Sequence, residues 1–424
     1  MIPTTEKAAT KKPRESAEDK DEATTETLCD LALAVTRNQV RRTASDLAEQ
    51  QSIDFSKIIK RSLHQKKDEI LYDALARTET NDPQAALTLK LAIEDAAEVT
   101  VIERADGKTL EINAFVIPLF LHTIGGLDPE RCFQDQEAFT ALTASFQAEY
   151  LESPDASVVL VSHGYHLNEI DGITFSHLHD MLRDAFAAMS DKRIAATPAI
   201  DRSFGGWPDS PFAPHDKAIE LRFLLGFALK SVDDPFYEVP EDEDQADAYF
   251  AKREQRFQHW TGKVAPLVLR CFGLQNGGPA SGSGTTAQVQ PDSDVHFLYQ
   301  DMFHGGKERG IAEYFMLQMI SDLNHGLQLK NVAAGATRAV IGPVDLSDDS
   351  VLRVQLLSIA DGTLVVSADK PLPGQIDWAL EVADAASALT MIGVQTASVA
   401  AGFDATGAPR DVRTYPMQAA SQAA

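Results

Sequence analysis

Cysteine is scarce: Cys29, Cys132 and Cys271 are the three in 424 residues, widely separated, with no CxxC among them. That spacing excludes a disulfide framework or a paired zinc knuckle and predicts reduced, buried thiols. Positive charge is also short, with 38 Lys and Arg against 63 Asp and Glu and a net charge of -25. Gripping phosphate backbones needs a basic surface, so nucleic acid is excluded as the main partner. Long apolar runs are missing as well. The longest, residues 114–121, contains Pro118 and falls far short of the ~20 residues of a membrane helix, so no membrane partner is expected. The first residues, Met1-Ile2-Pro3-Thr4-Thr5-Glu6-Lys7, lack the apolar stretch of a secretory signal, and the expected location is the cytoplasm.

Familiar catalytic signatures are absent too. The one GKT triplet, Gly107-Lys108-Thr109, has Ile102 where a phosphate-binding loop needs its leading glycine. Gly282-Ser283-Gly284 lies in linker-like sequence and does not open a helix, so dinucleotide binding has no support. There is no GxSxG elbow, HExxH or DxDxDG loop. His304-Gly305-Gly306 has the form of an oxyanion-hole loop, but no activated nucleophile accompanies it. No cofactor is expected.

What the chain does contain predicts an α+β protein, a helical N-terminal region followed by two α/β units. Residues 1–27 are polar and charged and read as a disordered tail, or as a leader for a specialised export system. Residues 28–97 form a helical region: Leu28, Leu31 and Val35, then Ile58, Ile59, Leu63, Ile70, Leu71 and Leu75, recur at three-and-four spacing. Asp82-Pro83 supplies a cap and a first-turn proline for a further helix. The first α/β unit spans 98–232 and the second 293–414, each carrying an Asp-Gly hairpin, at Asp106-Gly107 and Asp361-Gly362. Between them come an acidic loop and connecting helix (233–275) and a Gly/Ser linker (276–292), and residues 415–424 read as a frayed tail. The order strand, His-Gly, helix, Leu-Arg strand occurs twice, around His163-Gly164 and Leu221-Arg222 and again around His304-Gly305 and Leu352-Arg353. An internal duplication competes there with coincidence among common pieces.

Three sets of side chains are candidates for function. His163, His166, His177 and His179 crowd into seventeen residues. A helix turns about 200° over two positions, so His177 and His179 diverge, leaving His163 and His166 with one of these two, or with His304, as metal ligands and Asp171 as a further donor. Lys57, Lys60 and Arg61 share one face of the second helix with His64, a basic stripe suited either to solvent or to an acidic surface. Arg222 and Arg353 sit at matching places in apolar strands, as halves of ion pairs or as anion-binding groups. The leading expectation is a cytoplasmic binding or scaffold protein with a protein partner. A metal-assisted or histidine-dependent hydrolase near His163 and His166 is the alternative, and a secreted bacterial effector with a disordered leader the third.

Overall fold

Ser16 accepts the N–H of Asp19 while the Asp19 carboxylate accepts the N–H of Ser16, and this reciprocal cap starts helix α1, Ala17–Arg41. The computed structural model describes residues 16–104, 107–124, 127, 133, 135–149, 151–190, 217–274, 293–345, 350–372, 377–404 and 406–417. The tail expected to reach residue 27 therefore gives way by residue 16, and residues 1–15 lie outside the described residues. The physical reason is long-range: Asp21 pairs with Lys67, Glu22 takes two bonds from Arg77 at 2.6 and 2.8 Å, and Thr25 and Leu28 are buried. Helices α2 (Asp46–His64), α3 (Asp68–Asn81) and α4 (Pro83–Glu98) complete the helical region. Asp82 caps α4 by accepting the N–H groups of Gln84 and Ala85, with Pro83 at the first helical position.

The first sheet follows. Strand β1 (Val99–Glu103) turns through Gly107, at φ +80, into the sixteen-residue β2 (Thr109–Ile124). After α5 (Gln136–Ala148) come β3 (Ser157–His166), α6 (Leu167–Asp171), α7 (Phe175–Ser190) and β4 (Lys217–Ser231). Helix α8 (Glu243–Cys271), capped by Asp242, then leads to β5 (Asp294–Phe297) and β6 (Asp301–Met302). All pairings are antiparallel in the order β1-β2-β4-β3, with β5 and β6 also on β2.

Both faces of this sheet are covered, which explains why β2 carries the longest apolar run. Ile112, Ala114, Val116 and Phe120 pack with the helices of the N-terminal region and α7, while Phe115, Ile117, Leu119 and Leu121 pack with α5 and α8. Pro118 is tolerated in mid-sheet because its carbonyl accepts the Leu298 N–H at 3.0 Å. Its nitrogen therefore faces the break between β5 and β6, where no ladder bond is needed. Gly226 on β4 leaves no room for a side chain, since a Cβ would stand 2.3 Å from the Phe115 ring. Gly226→Val is expected to cost about 1–3 kcal/mol by overpacking. An unchanged urea midpoint would contradict this packing.

Helix α9 (Phe303–Leu329) joins the first sheet to the second. Phe303 and Tyr314 belong to the core with the helical region, and Met316, Met319, Leu323 and Leu327 to the core of the second sheet. Its first turn contains Gly305 and Gly306, so the oxyanion-loop resemblance gives way to a packing role: a Cβ on Gly306 would lie 2.6 Å from Val116. The second sheet comprises β7 (Thr337–Asp345), β8 (Ser350–Ser358), β9 (Leu364–Leu372), β10 (Ala397–Val399) and β13 (Arg413–Tyr415), with helix α10 (Trp378–Met391) between β9 and β10 in the chain. The short pair β11 (Gly402–Phe403) and β12 (Pro409–Arg410) stands apart. The strand order of the second sheet is β13-β10-β7-β8-β9, with β10 and β7 parallel.

The molecule is thus an α+β protein with an N-terminal helical region. The suggested duplication does not extend to topology. β3 and β4 are neighbours in one sheet, whereas their counterparts β5 and β8 belong to different sheets. Tyr415 of β13 pairs with Ala397, so the expected terminal tail begins later than residue 415; the expected linker, 276–292, lies outside the described residues.

Candidate functional site

Strand β3 advances from Leu160 to Gly164 while its partner β4 advances only from Gly226 to Leu224. Val161, Ser162 and His163 therefore form a bulge, a device that re-aims side chains. His163 Nε2 lies 3.0 Å from Glu169 Oε2, and the same carboxylate oxygen accepts the His166 N–H at 2.9 Å. His166 itself caps α6, its Nδ1 accepting the Asn168 N–H at 3.3 Å. Burial works against the Glu169 carboxylate, but the bonds from His163 and His166 outweigh it and leave its pKa below the ordinary value. Burial lowers the His166 pKa and, with the nearby Glu169 charge, raises that of Tyr165, whose ring meets His163 edge-on at 4.7 Å.

These contacts place the three expected metal ligands in different local settings. His163 is directed to Glu169, His166 is a helix cap and His304 sits on α9 against α4. Among the described residues no three His, Cys, Asp or Glu side chains form a group that could hold a metal ion. Asp171, the further donor considered, is 3.3 Å from Lys307. His179 is buried, its ring edge-on to His64 at 5.0 Å.

A further group of perturbed side chains lies where α4 meets α9: His304, and two carboxylates that the sequence did not single out. Glu98 is buried and accepts the His304 N–H at 2.9 Å. One turn earlier Glu94 stands 3.8 Å from Lys90 and 3.9 Å from His304 Nδ1. Phe175 and Phe303 lie against the His304 ring, with centroids at 5.4 and 5.1 Å. Burial pushes both carboxyl groups up to about 7. Burial first, and then Lys307 and Lys90, pushes His304 down to about 3. All three groups are thereby favoured in their neutral forms. The i,i+4 spacing of Glu94 and Glu98 beside buried Ile93 and Ala97 was the available signal, since two like charges on one helix stripe repel unless neutralised.

Both candidate anion-binding arginines are engaged in ion pairs. Arg222, 3% exposed, holds Glu220 at 2.7 Å, and Glu220 also accepts the Leu127 N–H at 2.9 Å. Arg353 makes two bonds to Asp369, at 2.7 and 2.6 Å. Their charge is matched by a neighbour on the same strand in one case and across the strand pair in the other.

The basic stripe differs, because Lys57, Lys60 and Arg61 are all exposed. Lys57 approaches Asp54 only to 3.9 Å, and among the described residues no carboxylate lies within 4.0 Å of Lys60 or Arg61. Ile53, one turn before Lys57 on this face, is 40% exposed. No helix among the described residues is long and apolar enough to cross a membrane. No protein-family model, curated protein or solved structure matches this chain.

Proposed function

We propose that this chain is a binding or scaffold protein that presents the exposed face of α2 to an acidic protein surface. The observation that carries the reading is the contrast among its cations. Arg222 and Arg353 are matched by carboxylates, whereas Lys60 and Arg61 are exposed without one in a chain of net charge -25. Cations left unmatched on such a surface are available to a partner, and complementary charge steers association and fixes register. Cytoplasmic action belongs to the same proposal. Cys29 and Cys271 are free thiols, and burial pushes the Cys271 thiol up to about 12, as befits an inert reduced side chain.

The test is the full chain against Lys57→Glu/Lys60→Glu/Arg61→Glu, cross-linked in lysate at about 0.15 M ionic strength, where charges beyond about 8 Å are screened. The variant is expected to keep its thermal midpoint, since exposed substitutions usually stay within about 0.5 kcal/mol. It is expected to lose its cross-linked partners. The same partners retained in the same amounts by the variant would end this reading.

A further inference from the structure

A second exposed face carries unmatched charge of the opposite sign. Residues 233–247 hold eight Asp and Glu and no Lys or Arg, and they run from the end of β4 into the first turns of α8. Glu238, Glu241, Asp242, Glu243, Asp244 and Asp247 are exposed, and among the described residues no cationic side chain lies within 4.0 Å of their carboxylates. Capping accounts for only part of this charge: Asp242 accepts the Gln245 N–H, while Glu243 and Asp244 lie in the first helical turn. Two large apolar side chains stand in the same stretch, Val239 at 46% exposure and Phe250 at 54%. Exposed apolar side chains near charged ones suit an interface, whose apolar part is bordered by polar groups. On the α2 face exposed Ile53 is followed by Lys57, Lys60 and Arg61, with Asp46 and Glu49 before it in the first turn.

The two faces cannot meet within one molecule by a small adjustment. Phe55, Ile59 and Leu63 anchor α2 in the core on one face of the first sheet, and Phe257, Trp260 and Val264 anchor α8 in the core on the other. We propose that the α2 face of one copy docks on the acidic face at the start of α8 of a second copy. This rests on the binding reading of α2 and names its partner. In such a contact one copy keeps its acidic face unused and the other its α2 face, so the association is head-to-tail and grows into a ring or an open chain. The -25 net charge opposes it at long range, so moderate salt, which screens distant charges more than contacting ones, favours assembly.

The experiment is sedimentation velocity on the full chain over a concentration series at about 0.15 M ionic strength. It uses two variants, Lys57→Glu/Lys60→Glu/Arg61→Glu and Glu238→Lys/Glu241→Lys/Asp247→Lys; the second leaves the Asp242 cap intact. Wild type is expected to associate with rising concentration, and each variant alone to remain monomeric, the first because both its faces are acidic and the second because three Lys among the remaining carboxylates of residues 233–247 cancel most of the charge that α2 would meet. An equal mixture of the two variants is expected to associate again, which unfolded variants could not do. A monomeric wild type, association of either variant alone like wild type, or a mixture that stays monomeric would each overturn self-docking. If self-docking fails while the α2 variant still loses a cross-linked acidic protein, the binding reading survives. If both are lost, that reading falls with it.

Discussion

Arg222→Leu is expected to lower unfolding free energy by about 3–5 kcal/mol, because it strands the Glu220 carboxylate inside the sheet without its partner. Arg222 and Glu220 are 3% and 6% exposed, and their charged atoms are 2.7 Å apart. Replacing both, as Glu220→Leu/Arg222→Leu, is expected to recover much of the loss, since apolar pairs commonly substitute for buried ion pairs at little cost. Full recovery is not expected, because the Leu127 N–H also loses its acceptor. The comparison is Arg353→Leu, whose pair with Asp369 is 25% and 39% exposed and is worth at most about 1 kcal/mol. Urea unfolding of the four chains measures the ordering. A single Arg222→Leu variant no weaker than Arg353→Leu would show that the buried charge has another way out.

The second large effect is a dependence on pH that isolates Glu98. In the folded chain its pKa is raised from 4.5 to about 7, so between those values the native state holds a proton that the unfolded state has released. Stability from this group is therefore present at low pH and is lost as pH rises through the window, by roughly 3 kcal/mol at about 1.36 kcal/mol per unit. His304 acts in the opposite sense. Its pKa is lowered to about 3, so the unfolded state binds more protons below 6.5 and stability is lost as pH falls. Glu98→Gln keeps the shape and an acceptor for the His304 N–H but removes the ionisation. The variant is expected to match wild type near about pH 5 and to be the more stable by roughly 3 kcal/mol near about pH 9. A stability difference flat across that range would mean that Glu98 ionises as it would in water. The nearby charges are Glu94, Lys90 and Asp95 on α4, Lys307 and Glu308 on α9, and Asp301 on β6, all retained in the variant.

Features set by neighbouring residues could be read from the chain before folding was considered. Asp82-Pro83 opens α4, and Gly107 and Gly362, at φ +80 and +72, make the expected turns. Features set by distant residues could not. The first eleven residues of α1 look too polar to order until Lys67, just before the third helix, and Arg77 within it are beside them. Sheet order was equally hidden, because β2 takes β4 as its partner across the whole of α5, β3, α6 and α7. The histidines drew attention by their density, yet density in sequence did not become convergence in space once the bulge in β3 turned His163 toward Glu169. Glu94 and Glu98 escaped notice for the opposite reason. They look like ordinary helix-surface acids until α9, some two hundred residues later, closes over them.

Helix α9 has a consequence for how this protein fails. At 27 residues it is about 40 Å long, and its two halves are embedded in different cores. Melting a single turn near Tyr314 or Met316 would uncover apolar side chains on both sides at once, so the junction offers no soft point at which one sheet can let go of the other. Unfolding that begins in either sheet is carried along the helix axis into its neighbour, and the two give way as one cooperative unit.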